Sequence, residues 1–220
     1  MFRFYKTLFS LPNLRPNPLV LFTLFFFVLS GCSSVTNKAK PPLIKQTSQQ
    51  RITQLEQLQQ WKISGKIAFI ERDARNSASF SWIVNEKQKT QQLNLTTYLG
   101  IKVLQLDSRD NIHTIESDGK TYSGNDLEKL IHSITGLTLP TQALIYWLKG
   151  IPYQESDHVN YQVTSELPQT LSSYYNNELW QVSYANYQQI NGYTLATAFT
   201  IKKEGLLIKI AINDWFIPNN

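Results

Sequence analysis

Apolar and polar residues alternate along most of this chain, and two stretches with a helical rhythm interrupt the alternation. It begins at Trp61, Ile63, Ile67 and Phe69, interleaved with Lys62, Ser64 and Lys66. A period of two sends successive side chains to opposite faces of a strand, so this segment reads as half-buried β-structure. Residues 77–84 repeat the pattern through Phe80, Trp82 and Val84, and residues 90–97 through Leu93 and Leu95. Two further strands are predicted at 101–106 and 111–116. Polar turns fall at 85–89 and 107–110, and Asp118-Gly119 makes a tight turn into 120–122. Connections this short suit an antiparallel meander, because parallel neighbours need a crossover of a dozen residues or more.

The helical rhythm appears first at residues 49–60, where Ile52, Leu55 and Leu58 recur every three residues behind Ser48 as a candidate N-cap. It returns at 125–134, with Leu127, Leu130, Ile131 and Ile134 on one face and Gly136 as the stop. Pro140 opens a second helix over 141–148, closed by Gly150 and Pro152. Strands then resume at 160–164, 179–187, 194–201 and 206–212, with Asn191-Gly192 and Glu204-Gly205 as hairpin turns. The order is sheet, helical insertion, sheet, in one domain. It predicts a mainly β fold with α, in which a strongly curved antiparallel sheet wraps the helices. A filled closed barrel fits less well, because the helical pair needs somewhere to bury its apolar face. Helices that cover the concavity without filling it would leave an apolar pocket. A solid aromatic core satisfies the composition equally, since all five tryptophans lie within the patterned region.

Ahead of that region the character changes. Arg3, Lys6 and Arg15 precede an uncharged apolar run of 11 residues, 19–29. A membrane-spanning helix needs about 20, so a cleaved export signal is the better reading. The run ends in Leu29-Ser30-Gly31-Cys32, which holds the only cysteine of the 220 residues. This resembles a bacterial lipoprotein signal, and the resemblance implies cleavage before Cys32, lipidation of its thiol and acylation of the new amino terminus. The alternative is an ordinary secreted protein whose leader happens to end in cysteine. One cysteine allows no internal disulfide, and lipid attachment would remove a stray thiol. Ser33 stands where an Asp tends to retain lipoproteins in the inner membrane, which resembles the outer-membrane class. Residues 33–48 are small, polar and basic, stiffened by Pro41-Pro42, and read as a tether. The expected organisation is a signal peptide at 1–31, a lipidated tether at 32–48 and a folded domain at 49–220.

This organisation changes the meaning of the charge. The precursor carries 21 basic and 16 acidic residues, but three of the basic ones belong to the leader, which leaves 18 against 16, or +2. No basic stripe or cluster survives, so no nucleic-acid partner is expected.

Catalytic signatures are poor. His113, His132 and His158 are far apart and form no metal-ligand spacing, so neither a metal nor a cofactor is expected. The chain has no Gly-x-Ser-x-Gly elbow and no glycine-rich phosphate loop. Asp107 and Asp110 flank a turn, where carboxylates commonly cap backbone groups. No catalytic residue emerges and an enzyme is not expected. One spot stands out: Leu99, in Thr97-Tyr98-Leu99-Gly100, sits at or near the tip between two predicted strands. Turn tips are wet and prefer Gly, Asn, Asp or Pro. Local sequence therefore favours a leucine that folds back onto the sheet, or a strand that simply runs through.

Taken in order, several segments resemble the LolB family of outer-membrane lipoproteins. They are Trp61-Lys62-Ile63-Ser64-Gly65-Lys66-Ile67-Ala68, Ser79-Phe80-Ser81-Trp82, Tyr98-Leu99-Gly100, Asp118-Gly119-Lys120-Thr121-Tyr122 and Gly136-Leu137-Thr138-Leu139-Pro140. Tyr146-Trp147-Leu148-Lys149-Gly150-Ile151-Pro152 is the most distinctive, followed by Trp180-Gln181-Val182-Ser183-Tyr184, Tyr187 and Asp214-Trp215. The resemblance covers residues 32–217. It implies an open, half-closed antiparallel β-barrel of about eleven strands, wrapping helices around an apolar cavity for acyl chains. It also implies a lipid-anchored receptor in the outer membrane, facing the periplasm. Such a receptor takes lipoprotein cargo from a LolA-like periplasmic carrier and inserts it among outer-membrane lipids by energy-independent handover. A monomer is expected. The competing class is a lipid-anchored envelope interaction module with a filled core and no transfer activity.

The resemblance also reverses the reading of Leu99. The family carries a protruding Pro-Leu-Gly loop needed for membrane delivery; Leu99 and Gly100 match its leucine and glycine, while Tyr98 replaces the proline. Tyr98, Leu99 and Gly100 are thus the expected insertion loop, and Cys32 the lipidation site. Trp61, Phe80, Trp82, Trp147, Trp180 and Tyr184 are the candidates for the cavity wall. A second departure lies at Ser165-Glu166-Leu167-Pro168, where the family tends to carry Gly-Arg.

Overall fold

A computed structural model describes residues 42–218. Cys32, the expected signal peptide and the first part of the expected tether lie outside the described residues. Helix α1 (Ser48–Glu56) leads into six strands: β1 (Gln60–Ile70), β2 (Arg75–Asn85), β3 (Thr90–Thr96), β4 (Lys102–Arg109), β5 (Ile112–Ser117) and β6 (Lys120–Gly124). Helices α2 (Leu127–Thr135) and α3 (Thr141–Lys149) follow. The chain then forms β7 (His158–Tyr161), β8 (Pro168–Tyr175), β9 (Glu178–Ala185), β10 (Gln188–Ile190), β11 (Tyr193–Leu195), β12 (Ala198–Lys203) and β13 (Leu206–Phe216). Eleven of these strands make one sheet in the order β6-β5-β4-β3-β2-β1-β13-β12-β9-β8-β7, and β10 and β11 form a separate hairpin. The neighbours pair antiparallel, as between β1 and β2 or β1 and β13. The two edges, β6 and β7, do not pair with each other, so the sheet stays open. The chain crosses from one edge to the other through α2 and α3.

Each helix carries local reasons to start and stop. For α2, the Asp126 carboxylate accepts the Lys129 amide (3.0 Å) and Gly136, at φ +74°, ends it. The first helix is capped by Thr47 rather than Ser48: Thr47 Oγ1 accepts the Gln50 amide, and the Gln50 side chain takes the Thr47 amide in return. That box outcompetes a lone serine because it satisfies two orphan donors at once. Arg51 then docks α1 on the body. Its buried guanidinium donates to the carbonyls of Lys149 (2.8 Å), Gly150 (3.0 Å) and Thr194 (3.2 Å), and burial lowers its pKa.

The second half of the chain departs from the sequence reading in several places, among them β9, which stops at Ala185 before a separate β10, and β13, which runs on to Phe216. Residues 194–201 are not one strand: β11 ends at Leu195 and β12 starts at Ala198. Between them the Thr197 amide turns to Ala185 and Asn186, and the Ala196 carbonyl accepts the Trp215 indole (3.1 Å). Strand β7 lies at His158–Tyr161 instead of 160–164, because a turn through Glu166 (φ +52°) brings the Gln162 amide to the Leu167 carbonyl. Strand β8 has no counterpart in the hydrophobic pattern, since one of its buried positions is Ser173.

The core is densely aromatic. Trp61 packs on Trp82 (centroids 5.4 Å) and Trp215 (5.6 Å), Trp147 on Trp180 (6.0 Å), and Tyr184 on Phe199 (5.8 Å). Buried Lys149, at the end of α3, pairs with Glu86 Oε1 (2.8 Å) and ties that helix to the turn after β2.

Candidate ligand cavity and its apolar rim

Half of the concave face is packed solid and half is not. A cavity of about 560 Å³ lies between β1–β5, β12 and β13 on one side and α2 and α3 on the other. Its walls include Phe69, Phe80, Trp82, Leu93, Leu95 and Leu104, and the α2 residues Leu127, Ile131 and Ile134 roof it. No residue of β7, β8 or β9 lines it. Polar interactions also sit in the wall: the Trp82 indole donates to Gln91 Oε1 at 3.2 Å, and the Ser117 hydroxyl to the Val103 carbonyl at 3.1 Å.

The pairing registers locate the mouth. Ile70 faces both Arg75 and Leu207, and Thr96 faces Lys102, so the β1–β2, β3–β4 and β12–β13 turns share one end of the sheet. Exposed Glu71, Ala74, Asn76 and Asp118 line the cavity at that end. The β3–β4 turn projects from this rim. Its Gly100 amide donates to the Thr97 carbonyl (2.9 Å), the Thr97 amide to the Ile101 carbonyl (2.8 Å), and the Ile101 amide to Thr97 Oγ1 (3.1 Å). Gly100 adopts φ +80°, the left-handed conformation that closes a three-residue hairpin loop. The backbone is thus satisfied internally, and the side chains have nowhere to fold back. Tyr98 is 89% exposed, Leu99 81% and Ile101 63%.

Of the six wall candidates drawn from the sequence, Phe80 and Trp82 line the cavity. Trp61, Trp147, Trp180 and Tyr184 do not; they are buried in the solid cluster, in aromatic contact with their neighbours. The physical reason is that large rings fill space. Where α3 lies on the sheet, Trp147 and Trp180 meet and leave no void, whereas the cavity walls are mainly aliphatic. Sequence reasoning also missed Ile101 and Val103. Val103 is both exposed and part of the cavity wall, and it stands two residues from exposed Ile101 at the base of the hairpin. The signal was present in the alternation of Leu99, Ile101 and Val103.

Chemistry beyond apolar contact is sparse. Among the described residues no three His, Cys, Asp or Glu side chains gather as a metal site. Burial, followed by the hydrogen bond to Glu128, pushes the Tyr175 phenol up, so it remains a donor at neutral pH.

The family model described as outer membrane lipoprotein LolB matches residues 59–215. The chain belongs to the LolB family. Outer-membrane lipoprotein LolB of Aeromonas hydrophila is 33% identical over 199 residues, spanning 90% of this chain and 96% of that protein. The LolB of Pseudoalteromonas translucida is 30% identical over 195 residues, 89% and 92% of the two chains. Among solved structures, a LolA superfamily protein from Nitrosomonas europaea superposes with a TM-score of 0.51 at 9% identity, covering 80% of this chain and 95% of that one. A putative outer membrane lipoprotein-sorting protein domain from Vibrio parahaemolyticus gives 0.51 at 10% identity, covering 79% and 91%. At such identities the likeness concerns the fold alone.

Proposed function

We propose that this LolB-family chain is an outer-membrane lipoprotein receptor, held by lipid at Cys32. It accepts lipoproteins from a LolA-like periplasmic carrier and passes their acyl chains into the inner leaflet of the outer membrane. The observation that carries this reading is a largely apolar cavity with an exposed apolar hairpin beside its mouth. An acyl chain leaving the cavity beside Val103 would meet Ile101 and then Leu99 on the projecting hairpin. No bond is made or broken, and the chain needs no nucleotide: each compartment shields hydrocarbon from water, and the bilayer is the most favourable of the three.

The two lipid contacts have unequal weight. Burying the Leu99 side chain contributes about 2 kcal/mol, enough to perturb lipid packing and too little for durable attachment. The acyl groups at Cys32 contribute about 0.8 kcal/mol per buried methylene and hold the protein in place. Tyr98 suits the headgroup level, where an aromatic ring with a polar tip is at home.

The test is a reconstituted transfer assay. A carrier loaded with lipoprotein is mixed with vesicles bearing the wild-type chain or Leu99→Glu, and cargo is followed in three pools: carrier, receptor and bilayer. Leu99→Glu should accept cargo at the wild-type rate and then retain it, lowering delivery by about tenfold or more, since a charge now meets the bilayer. Wild-type delivery by the variant would refute the role given to the hairpin.

A further inference from the structure

The cavity is small for the occupant just proposed. At about 560 Å³ it falls among pockets that hold drug-sized molecules, roughly 300–1,000 Å³, whereas a lipoprotein amino terminus carries several acyl chains. Some part of the wall has to give. The strands are hydrogen-bonded to neighbours on both sides from β5 to β1. Helix α3 is held by Ala143, Trp147, Leu148 and Lys149, all buried. Helix α2 differs: Leu127 alone is buried, and Leu130, Ile131 and Ile134 are half-buried along the open edge of the sheet.

One side chain secures α2 across that opening. The Glu128 carboxylate accepts the Tyr175 hydroxyl (2.7 Å), the Asn176 side-chain amide (3.3 Å) and the backbone amide of Thr141 (3.2 Å). These donors come from β8, from the turn after it and from the first residue of α3. Because α2 follows edge strand β6 while β8 neighbours edge strand β7, the carboxylate bridges the two margins of the open sheet. It also serves the α3 N-terminus, which has no side-chain cap of its own. Beyond this bridge lies a polar depression of about 540 Å³ lined by Asn125, Asp126, Glu128 and Tyr175. Gln91, Leu127 and Thr141 border both spaces. Lifting the first turn of α2 would therefore merge the two.

We propose that Glu128 is a positioning residue for cargo uptake: its carboxylate latches α2 over the cavity, and its release lets several acyl chains enter together. The proposal rests on the receptor reading. The latch suits reversible opening, since water can replace each of its neutral donors when α2 lifts. The joined space would offer hydrocarbon walls to the chains and polar groups to the amides of the cargo peptide.

The full lipidated chain in phospholipid vesicles is given carrier loaded with either a three-chain or a single-chain lipopeptide. Capture is timed for wild type, Glu128→Ala, Tyr175→Phe and Glu128→Gln, and amide exchange is followed across α2. Glu128→Ala and Tyr175→Phe should speed three-chain capture about five- to tenfold, the factor expected for losing one or two net hydrogen bonds. Both should raise exchange in α2 and leave single-chain capture within about twofold. Glu128→Gln, which keeps an acceptor for Tyr175 and Thr141, should restore most of the wild-type rate. Tyr175→Phe guards against a misfolded alanine variant, and exchange in β1–β5 monitors the fold. Unchanged three-chain capture in both variants would overturn the latch while leaving the receptor reading intact. Failure of the wild type to capture either lipopeptide would overturn both.

Discussion

Leu99 and His113 illustrate how single residues carry different kinds of information. Local sequence favours a Leu99 that folds back onto the sheet, and only the family resemblance reads it as projecting. Its projection is decided by its neighbours: Thr97 and Gly100 close the hairpin on their own backbone groups, leaving Leu99 81% exposed. His113 drew attention as one of three histidines and proves to be a half-buried strand residue, with Nδ1 2.8 Å from Ser108 Oγ. Burial lowers its pKa from the ordinary 6.5, and the Asp126 charge works in the opposite direction. The unfolded chain therefore takes up a proton first as pH falls through 6.5, so stability rises with pH across that window. The loss on acidification stops growing once the pH passes below the lowered folded value. Thermal midpoints measured at about pH 7.5 and about pH 5.5 should fall less on acidification for His113→Gln than for the wild type. Equal falls would remove His113 from the account.

At the scale of elements, legibility followed packing. Strands β1 to β5 were readable because one of their faces is buried and apolar, which imposes a strict period of two, but β4 runs on through Asp107, Ser108 and Arg109, polar residues that read as a turn in the sequence. Helix α2 was equally plain, with four apolar residues on one face and a terminal Gly, although its Asp126 cap became apparent only in the structure. Strand β8 was invisible because Ser173, small and polar, fills a buried position usually marked by a large side chain. The break between β11 and β12 was hidden for another reason: Thr197 interrupts the ladder through hydrogen bonds to residues distant in sequence, which no local pattern records. Strand β1 carries a second such constraint. It slips register against β13 between Ser64 and Gly65, and a Cβ on Gly65 would overlap the carbonyl of Ala211. The bulge sharpens the local twist of the sheet, and only glycine allows the approach. Gly65→Ala should destabilise the fold by about 1–3 kcal/mol, as overpacked sites do. Chemical denaturation would detect this as a lower midpoint with an unchanged slope. A wild-type midpoint would mean that the strands separate at no cost.

For the whole molecule, the choice left open by composition between a solid core and a hollow one has a divided answer. The aromatic half beneath α3 is solid and the aliphatic half beneath α2 is hollow. This division explains why four of the six aromatic wall candidates lie elsewhere. Trp147 and Trp180 fill the sheet beneath α3, whereas Leu, Ile, Val and Phe positions, together with Trp82, surround the space that is left. The sheet-helices-sheet order foretold the architecture well, because an insertion joining opposite edges of an open sheet has to cross its concave face. Which part of that face stays empty depends on side-chain volumes meeting across elements, and this becomes legible only in three dimensions. The asymmetry also bears on the proposed function: the hollow half opens beside the Leu99 hairpin, the element to which delivery is assigned.

The most direct measurement is to carry a photoreactive group on an acyl chain of the cargo, load it from the carrier onto the vesicle-bound protein, irradiate, and map the adducts. The account predicts adducts on cavity-wall residues such as Phe80, Leu93, Leu95 and Leu104, and none on Trp147 or Trp180. Adducts confined to the outer surface of the sheet, or no adducts despite successful transfer, would contradict it.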